Sequence, residues 1–181
     1  MDWFRFGTRT AGLCLVLYVA AVLELSWQAG AIAPSWIALA VTLAVSVSAP
    51  SASVFWAAAG GFVIDATARG PIGPFLTVYG LIAGGFVAMI PASPRSWWFA
   101  PALAFALAAV QPVIPSVLLS IDGTSAIDLR MLLRASLMEG STTALAATIC
   151  AMLSAITQRL LSPARSEEPM QLSNRWKMLT E

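Results

Sequence analysis

The sequence predicts an all-α fold, a polytopic membrane bundle of about six transmembrane helices, on three observations. Apolar residues make up 59% of the 181 residues and charged residues only 10%, whereas a soluble domain carries roughly 25% charged residues. The mean hydropathy is +0.80. The apolar residues also fall into runs approaching the roughly 20 residues that a helix needs to cross a bilayer core of about 30 Å. Most of the surface is therefore expected to face lipid.

Proline, glycine and polar residues divide these runs. Pro50 lies among small polar residues, 70–74 holds two glycines and two prolines, 91–95 holds two prolines and an arginine, and 122–124 is a polar turn. Such residues mark turns and helix ends. We therefore expect a transmembrane domain over 1–161, followed by a polar cytoplasmic tail over 162–181. Its helices are predicted near 10–27, 34–49, 53–68, 75–90, 99–121 and 128–161.

Prolines refine two of these helices. Pro34 suits the first turn of the second helix, where a missing N–H leaves no hydrogen bond unmade. The fifth helix contains Pro101, Pro112 and Pro115. Because proline removes a backbone donor and clashes with the preceding turn, we expect this helix to be kinked or broken.

Basic residues predict the orientation. Cytoplasmic ends of membrane helices carry an excess of Lys and Arg. With the N-terminus inside, seven basic residues lie on the inner side and three on the outer side. We therefore expect both termini in the cytoplasm. The inner set is Arg5, Arg9, Arg95, Arg159, Arg165, Arg175 and Lys177, and the outer set is Arg69, Arg130 and Arg134.

Ionisable side chains in or beside the helices require an explanation, because each costs about 2.5–3.5 kcal/mol at the bilayer centre. In the predicted orientation they gather toward the outer face. One interpretation is that they reach the lipid headgroups, and the other is a polar cluster facing the bundle interior or a partner helix. Asp65 and Arg69 favour the second, since residues four apart can pair on one helix face. The outer polar cluster comprises Glu24, Asp65, Arg69, Arg130, Arg134 and Glu139.

Small residues predict close packing of the third and fourth helices. Ala57, Gly61 and Asp65 share one face of the third helix, and Gly80 and Gly84 are four apart on the fourth. Small residues at this spacing let helices approach closely in membranes. We favour packing within the chain over a dimer contact.

Several classes of function find no support in the sequence. There is no histidine, which removes the usual proton shuttle and the commonest metal ligand. No serine has an activating histidine or lysine near it, no phosphate-binding glycine loop is present, and no pair of acids resembles a metal site. A net charge of +1 gives no basic field for nucleic acid. We expect no catalytic residues, no metal, no cofactor and no nucleic-acid partner.

The most distinctive segment is 60–73, which reads G-G-F-V-I-D-A-T-A-R-G-P-I-G. It resembles the rod shape-determining protein MreD family, in which a helix ending in G-F-x-x-D is followed by a short turn, a P-x-G element and another helix. The matching positions are Gly61, Phe62, Asp65, Pro71 and Gly73. Pro34 is similar to the family's proline after the first helix. The resemblance covers about residues 31–90.

The resemblance implies a non-enzymatic subunit of the bacterial cell-elongation machinery in the cytoplasmic (inner) membrane. Its implied partners are MreC, a single-span protein, together with MreB and the cell-wall synthases that build lateral peptidoglycan. The family is also similar in fold to the substrate-binding S-components of energy-coupling-factor vitamin transporters. We therefore keep two hypotheses: a scaffold that docks MreC beside the third and fourth helices, with Asp65 and Arg69 at the rim, and a vitamin-binding transporter subunit.

Overall fold

A computed structural model describes residues 2–26, 34–68, 71–89, 98–123 and 128–161, without the side chains of 2–6, 9 and 158–161. Every regular element within these residues is an α-helix. The chain forms two compact units, Met1–Ile149 and Cys150–Glu181. The helices are α1 Asp2–Ser26, α2 Trp36–Val47, α3 Pro50–Thr67, α4 Pro74–Met89, α5 Phe99–Val110, α6 Val113–Ile121 and α7 Leu129–Leu161.

The predicted fifth helix is present in two parts, α5 and α6, so the six predicted helices correspond to seven elements. The break lies at Gln111 and Pro112, and Pro112 occupies the position immediately before α6. Proline cannot donate to the carbonyl one turn earlier, so the hydrogen-bond ladder stops there. Pro101 and Pro115 each occupy the first turn of a helix, where the backbone N–H has no partner within the helix.

Three helix starts differ from the predicted ones. The first helix begins at Asp2 rather than near Thr10, because hydropathy reports the apolar part of a helix and not its polar first turns. Pro50, predicted to lie in a turn, occupies the first position of α3, where its fixed φ suits a helix. Pro34 was placed in the first turn of α2, but it precedes the N-cap Ser35, and α2 begins at Trp36.

The core of the first unit is built around α2, which contacts α1, α3 and α5. One face of α2 is fully buried over two turns, with Ile37, Val41 and Val45 among the least exposed side chains. The α3–α4 pair has the most extensive contact between helices. It contributes the buried Trp56, Phe75 and Tyr79, while α5 contributes Phe99, Leu103 and Leu107.

Glycine permits the close approach of α3 to α4. A methyl group on Gly61 would overlap the Phe75 carbonyl and lie 2.8 Å from the Leu76 Cα, so the backbone of α4 would have to move. Gly80 and Gly84 lie on the side of α4 that faces α3. A methyl group on Gly80 would lie 3.8 Å from Ala58 Cβ, and one on Gly84 would lie 3.8 Å from Val54 Cγ2. These two distances are ordinary contacts. Gly61 therefore sets how closely the two helices pack.

Two helical stretches are long and apolar enough to cross a membrane: Phe99–Ile121, which includes α5 and α6, and Leu129–Thr157 within α7. The apolar helices Thr10–Ser26, Trp36–Val47 and Pro74–Met89 are shorter. By length and composition, the described residues therefore contain two candidate membrane-spanning segments. The predicted tail over 162–181 lies outside the described residues.

The contact at Gly61 gives a first prediction. Gly61→Ala should lower the free energy of unfolding by about 1–3 kcal/mol, the usual cost of overpacking a well-packed contact. Gly84→Ala is the matched control, because it makes the same chemical change in the facing helix where space exists. It should leave stability unchanged or raise it by up to about 1 kcal/mol through helix propensity.

Thermal unfolding of both variants, followed by far-ultraviolet circular dichroism under identical solution conditions, measures the difference. Equal unfolding temperatures for Gly61→Ala and Gly84→Ala would contradict the assigned contact.

Candidate functional site

The joint between α3 and α4 is built on one carboxylate. Asp65 is 2% exposed, and three backbone N–H groups donate to it: Gly73 to Oδ2 at 3.0 Å, Phe75 to Oδ1 at 3.1 Å and Leu76 to Oδ2 at 3.0 Å. The first N–H groups of a helix have no partner within it. Asp65 thus satisfies the start of α4 from the last turn of α3.

The neighbouring residues of the same segment complete this joint. Gly73 has a φ of 126°, a conformation open to glycine and strained for other residues. Pro74 follows as the first residue of α4 and has no N–H to satisfy. Proline thus leaves one fewer N–H group to satisfy at the start of α4. Asp65 accepts from those of Gly73, Phe75 and Leu76. Pro71 is exposed in the short connection.

The remaining residues of the segment have other positions. Phe62 is 48% exposed, so its ring lies on the outer surface of α3 and not at the joint. Ala57 is fully buried on the face of α3 that also carries Gly61 and Asp65. Arg69 lies outside the described residues, and its predicted pairing with Asp65 stays a prediction.

A second carboxylate holds the start of α2 in the same way. Glu24, near the end of α1, accepts hydrogen bonds at Oε2 from the N–H groups of Trp36 at 2.6 Å and Ile37 at 3.3 Å. Ser35, the N-cap residue, accepts from the N–H of Ala38 at 3.2 Å. The α1–α2 and α3–α4 pairs therefore share one device, in which an acid of the first helix caps the second.

A buried polar network connects the start of α2 to three other parts of the bundle. Gln111 Nε2 donates to Ser35 Oγ at 2.6 Å and to Tyr79 Oη at 2.8 Å. The Ser35 N–H donates to Thr143 Oγ1 at 3.0 Å, and that hydroxyl donates to the Glu139 carbonyl at 2.7 Å. Tyr79 and Thr143 are fully buried. The network joins α2, α4, the break between α5 and α6, and α7.

The network lies beside two acids of the predicted outer polar cluster. Glu24 accepts from the N–H of Trp36, the residue after Ser35. The backbone carbonyl of Glu139 accepts from the Thr143 hydroxyl, which in turn accepts from the Ser35 N–H. Arg130 and Arg134 are instead exposed, and within the described ranges no ion pair joins them to either acid. The structure therefore places Glu24 and the backbone of Glu139 beside the same network, while Arg130 and Arg134 are exposed. Asp65 instead accepts from backbone N–H groups.

Sequence reasoning missed four members of this network: Ser35, Tyr79, Gln111 and Thr143. One signal was available, since Gln111 is the only amide side chain in the apolar run 99–121 and directly precedes Pro112. A buried amide needs hydrogen-bond partners. Serine and threonine are too common along the chain to be informative alone.

Comparisons with protein-family models, with curated proteins and with solved structures find no match. The chemistry of the site therefore rests on its geometry. In the part of the chain that the structure describes, no group of three or more acidic or thiol side chains could hold a metal ion. The polar atoms mainly satisfy helix ends and one another, so the arrangement organises helices and holds them in register.

The capping role of Asp65 gives a second prediction. Asp65→Ala should lower the free energy of unfolding by about 3 kcal/mol or more, because each buried N–H left without a partner costs about 1–3 kcal/mol. Asp65→Asn keeps one acceptor oxygen and should lose less.

The matched control is Asp128→Ala at the start of α7. Asp128 is exposed and accepts from the N–H groups of Arg130 at 3.0 Å and Met131 at 3.3 Å. Water can replace it, so the loss should be about 1 kcal/mol. Urea or thermal unfolding measures all three variants, and an Asp65→Ala loss no larger than that of Asp128→Ala would exclude the three-bond cap.

A third prediction concerns the buried network. A double-mutant cycle between Gln111→Leu and Tyr79→Phe should give a coupling energy of about 1 kcal/mol, because the two side chains share a buried hydrogen bond. The control cycle replaces Tyr79→Phe by Tyr18→Phe, since Tyr18 is 68% exposed on α1. Its coupling with Gln111→Leu should be near zero, and similar values in the two cycles would argue against the assigned bond.

Proposed function

We propose that this protein is a non-enzymatic, multi-pass subunit of the bacterial cell-elongation (rod-shape) complex, similar to MreD, that docks a single-span MreC-like protein in the cytoplasmic membrane. The observation that carries the proposal is the joint at Asp65. Asp65, the last residue of the G-F-x-x-D element, accepts there from Gly73, the last residue of the P-x-G element, and from Phe75 and Leu76 at the start of α4. A pattern shared with a family is more informative when its spaced elements form one contact.

The surface of the bundle supports insertion into a membrane. Large apolar side chains are exposed on helix after helix, including Tyr18 on α1 at 68%, Leu81 on α4 at 75% and Met131 on α7 at 74%. Soluble monomers rarely expose large contiguous apolar patches. Lipid would cover these side chains. The carboxylate caps fit the same environment, because hydrocarbon offers no water to unpaired N–H groups.

A scaffold accounts for the polar residues better than catalysis does. The carboxylate oxygens of Asp65 and Glu24 accept hydrogen bonds from backbone N–H groups. The Gln111 amide donates to Ser35 and Tyr79. Groups committed to holding helices are poorly placed to take or give protons during a reaction. In this proposal both termini lie in the cytoplasm, where MreB and cell-wall synthases are further candidate partners.

We place the docking surface on the exposed side of α3, the side that points away from the rest of the bundle. Phe62 belongs to the family-like segment yet takes no part in the joint, and it is 48% exposed. Phe55, seven residues earlier, is 65% exposed, and a seven-residue spacing returns to nearly the same side of a helix. Two aromatic rings on one face form a surface against which a partner's transmembrane helix can pack.

The fourth prediction tests this surface. Phe62→Ala should reduce the recovery of MreC in co-purification about tenfold, as expected when a large aromatic anchor is removed from an interface. Stability should change little, because the ring is exposed. Asp65→Ala and Gly61→Leu are poor probes of docking, since both damage the joint itself.

Leu145→Ala is the matched control, because Leu145 is 63% exposed on α7 and loses a similar apolar surface. It should recover MreC like the unmodified protein. Full recovery of MreC by a folded Phe62→Ala variant would reject docking through α3.

A vitamin-binding transporter subunit is the second candidate function. It is favoured by the amide and hydroxyl groups of Gln111, Ser35 and Tyr79 beside Glu24 and Glu139, since small-molecule sites place a few polar groups among apolar walls. Vitamins that raise the unfolding temperature of the unmodified protein, but not of Gln111→Leu, would favour this function. No such rise, together with loss of MreC in Phe62→Ala, would favour the scaffold.

A further inference from the structure

The first turns of α7 combine exposed positive charge with exposed apolar side chains. Arg130 and Arg134 are both exposed, and residues four apart on a helix have neighbouring side chains, with Cβ atoms about 5–6 Å from each other. The two guanidinium groups can therefore reach one target together. The apolar side chains around them are Leu129 at 64% exposure, Met131 at 74%, Leu133 at 54% and Leu137 at 57%.

The acids near these arginines are engaged elsewhere. Asp128 accepts from the N–H groups of Arg130 and Met131 through Oδ1, so its carboxylate faces the helix start. Glu139 is half-buried, and at five residues beyond Arg134 it lies on a different side of the helix from the two arginines. Over the described ranges no ion pair is formed by Arg130 or Arg134. The described residues thus leave the positive charge of both arginines to an external anion.

We propose that Arg130 and Arg134 bind the phosphate of an anionic phospholipid, with its acyl chains lying along Leu133 and Leu137. Guanidinium groups bind phosphate oxygens through paired, charge-assisted hydrogen bonds. A headgroup with net negative charge fits better than a zwitterionic one, which brings its own cation to the site. This inference rests on the membrane insertion in the proposed function, but it is independent of MreC.

The apolar neighbours distinguish a lipid from a soluble phosphate. A free anion would gain nothing from Leu133 and Leu137, whereas a phospholipid places hydrocarbon next to its phosphate. Arginine stems also lie well along apolar surface while their charged ends reach the headgroups. The pattern of two cations at one end and leucines along the same helix therefore matches a whole lipid molecule.

The experiment compares phosphatidylglycerol with phosphatidylcholine. Native mass spectrometry of the detergent-solubilised full chain, titrated with either lipid, gives the apparent affinity of the first lipid adduct. The unmodified protein should prefer phosphatidylglycerol by about tenfold or more, since each basic residue near an anionic surface contributes about a factor of five. R130Q/R134Q should abolish the preference, and R134Q should leave part of it.

Controls separate this site from general charge and from failure of the proposed function. R159Q removes one charge from a later turn of α7 and should keep the preference, and circular dichroism checks that each variant is folded. Equal affinity of the unmodified protein for both lipids, or an undiminished preference in R130Q/R134Q, would overturn the inference alone. Extraction of the protein from membranes by alkaline carbonate would instead overturn membrane insertion, and with it the proposed function.

Discussion

The constraint on which the rest of the structure depends is the need to satisfy helix starts inside an apolar bundle. Two helix starts, those of α2 and α4, are satisfied by a carboxylate from the helix before. Asp65 accepts from three N–H groups and Glu24 from two. A helix start buried away from water needs acceptors from the protein itself, because an unpaired buried N–H is costly. Each acid therefore fixes both the length of a connection and the register of a helix pair.

The need to satisfy helix starts also explains why the buried polar network lies at the start of α2. The proline break after α5 leaves Gln111 between two helices, and its amide reaches the Ser35 cap and the Tyr79 hydroxyl. Thr143 ties α7 to the same cap through the Ser35 N–H. The start of α2, the break between α5 and α6, and the Thr143 side of α7 are thus joined by hydrogen bonds. In a low-dielectric interior such bonds are strong when complete and costly when broken, so they hold these helices in a unique arrangement.

The sequence predicted the coarse fold well and the polar contacts poorly. Apolar runs and breakers indicate helices, and the break at Pro112 follows from proline chemistry. The start of α1 at Asp2 did not follow, because hydropathy does not report polar helical turns. The predicted orientation grouped Glu24 and Glu139 toward one face, and that grouping stays a prediction. The orientation could not show that Glu24 turns toward a helix start, since that depends on how α1 and α2 pack, and no periodicity in the chain encodes it.

The two caps also separate the residues of the family-like segment that the fold explains from the one that it does not explain. The α1–α2 pair solves the capping problem with Glu24 and Ser35 and without a glycine–phenylalanine pattern, so capping alone does not require that pattern. Gly61 is explained by the approach of α3 to the Phe75 backbone. Phe62 is explained by neither capping nor packing, because its ring is exposed. Exposure alone does not distinguish Phe62 from Tyr18 or Leu81, which are more exposed. Its position in the family-like segment does, and that position is why the proposed docking surface includes it.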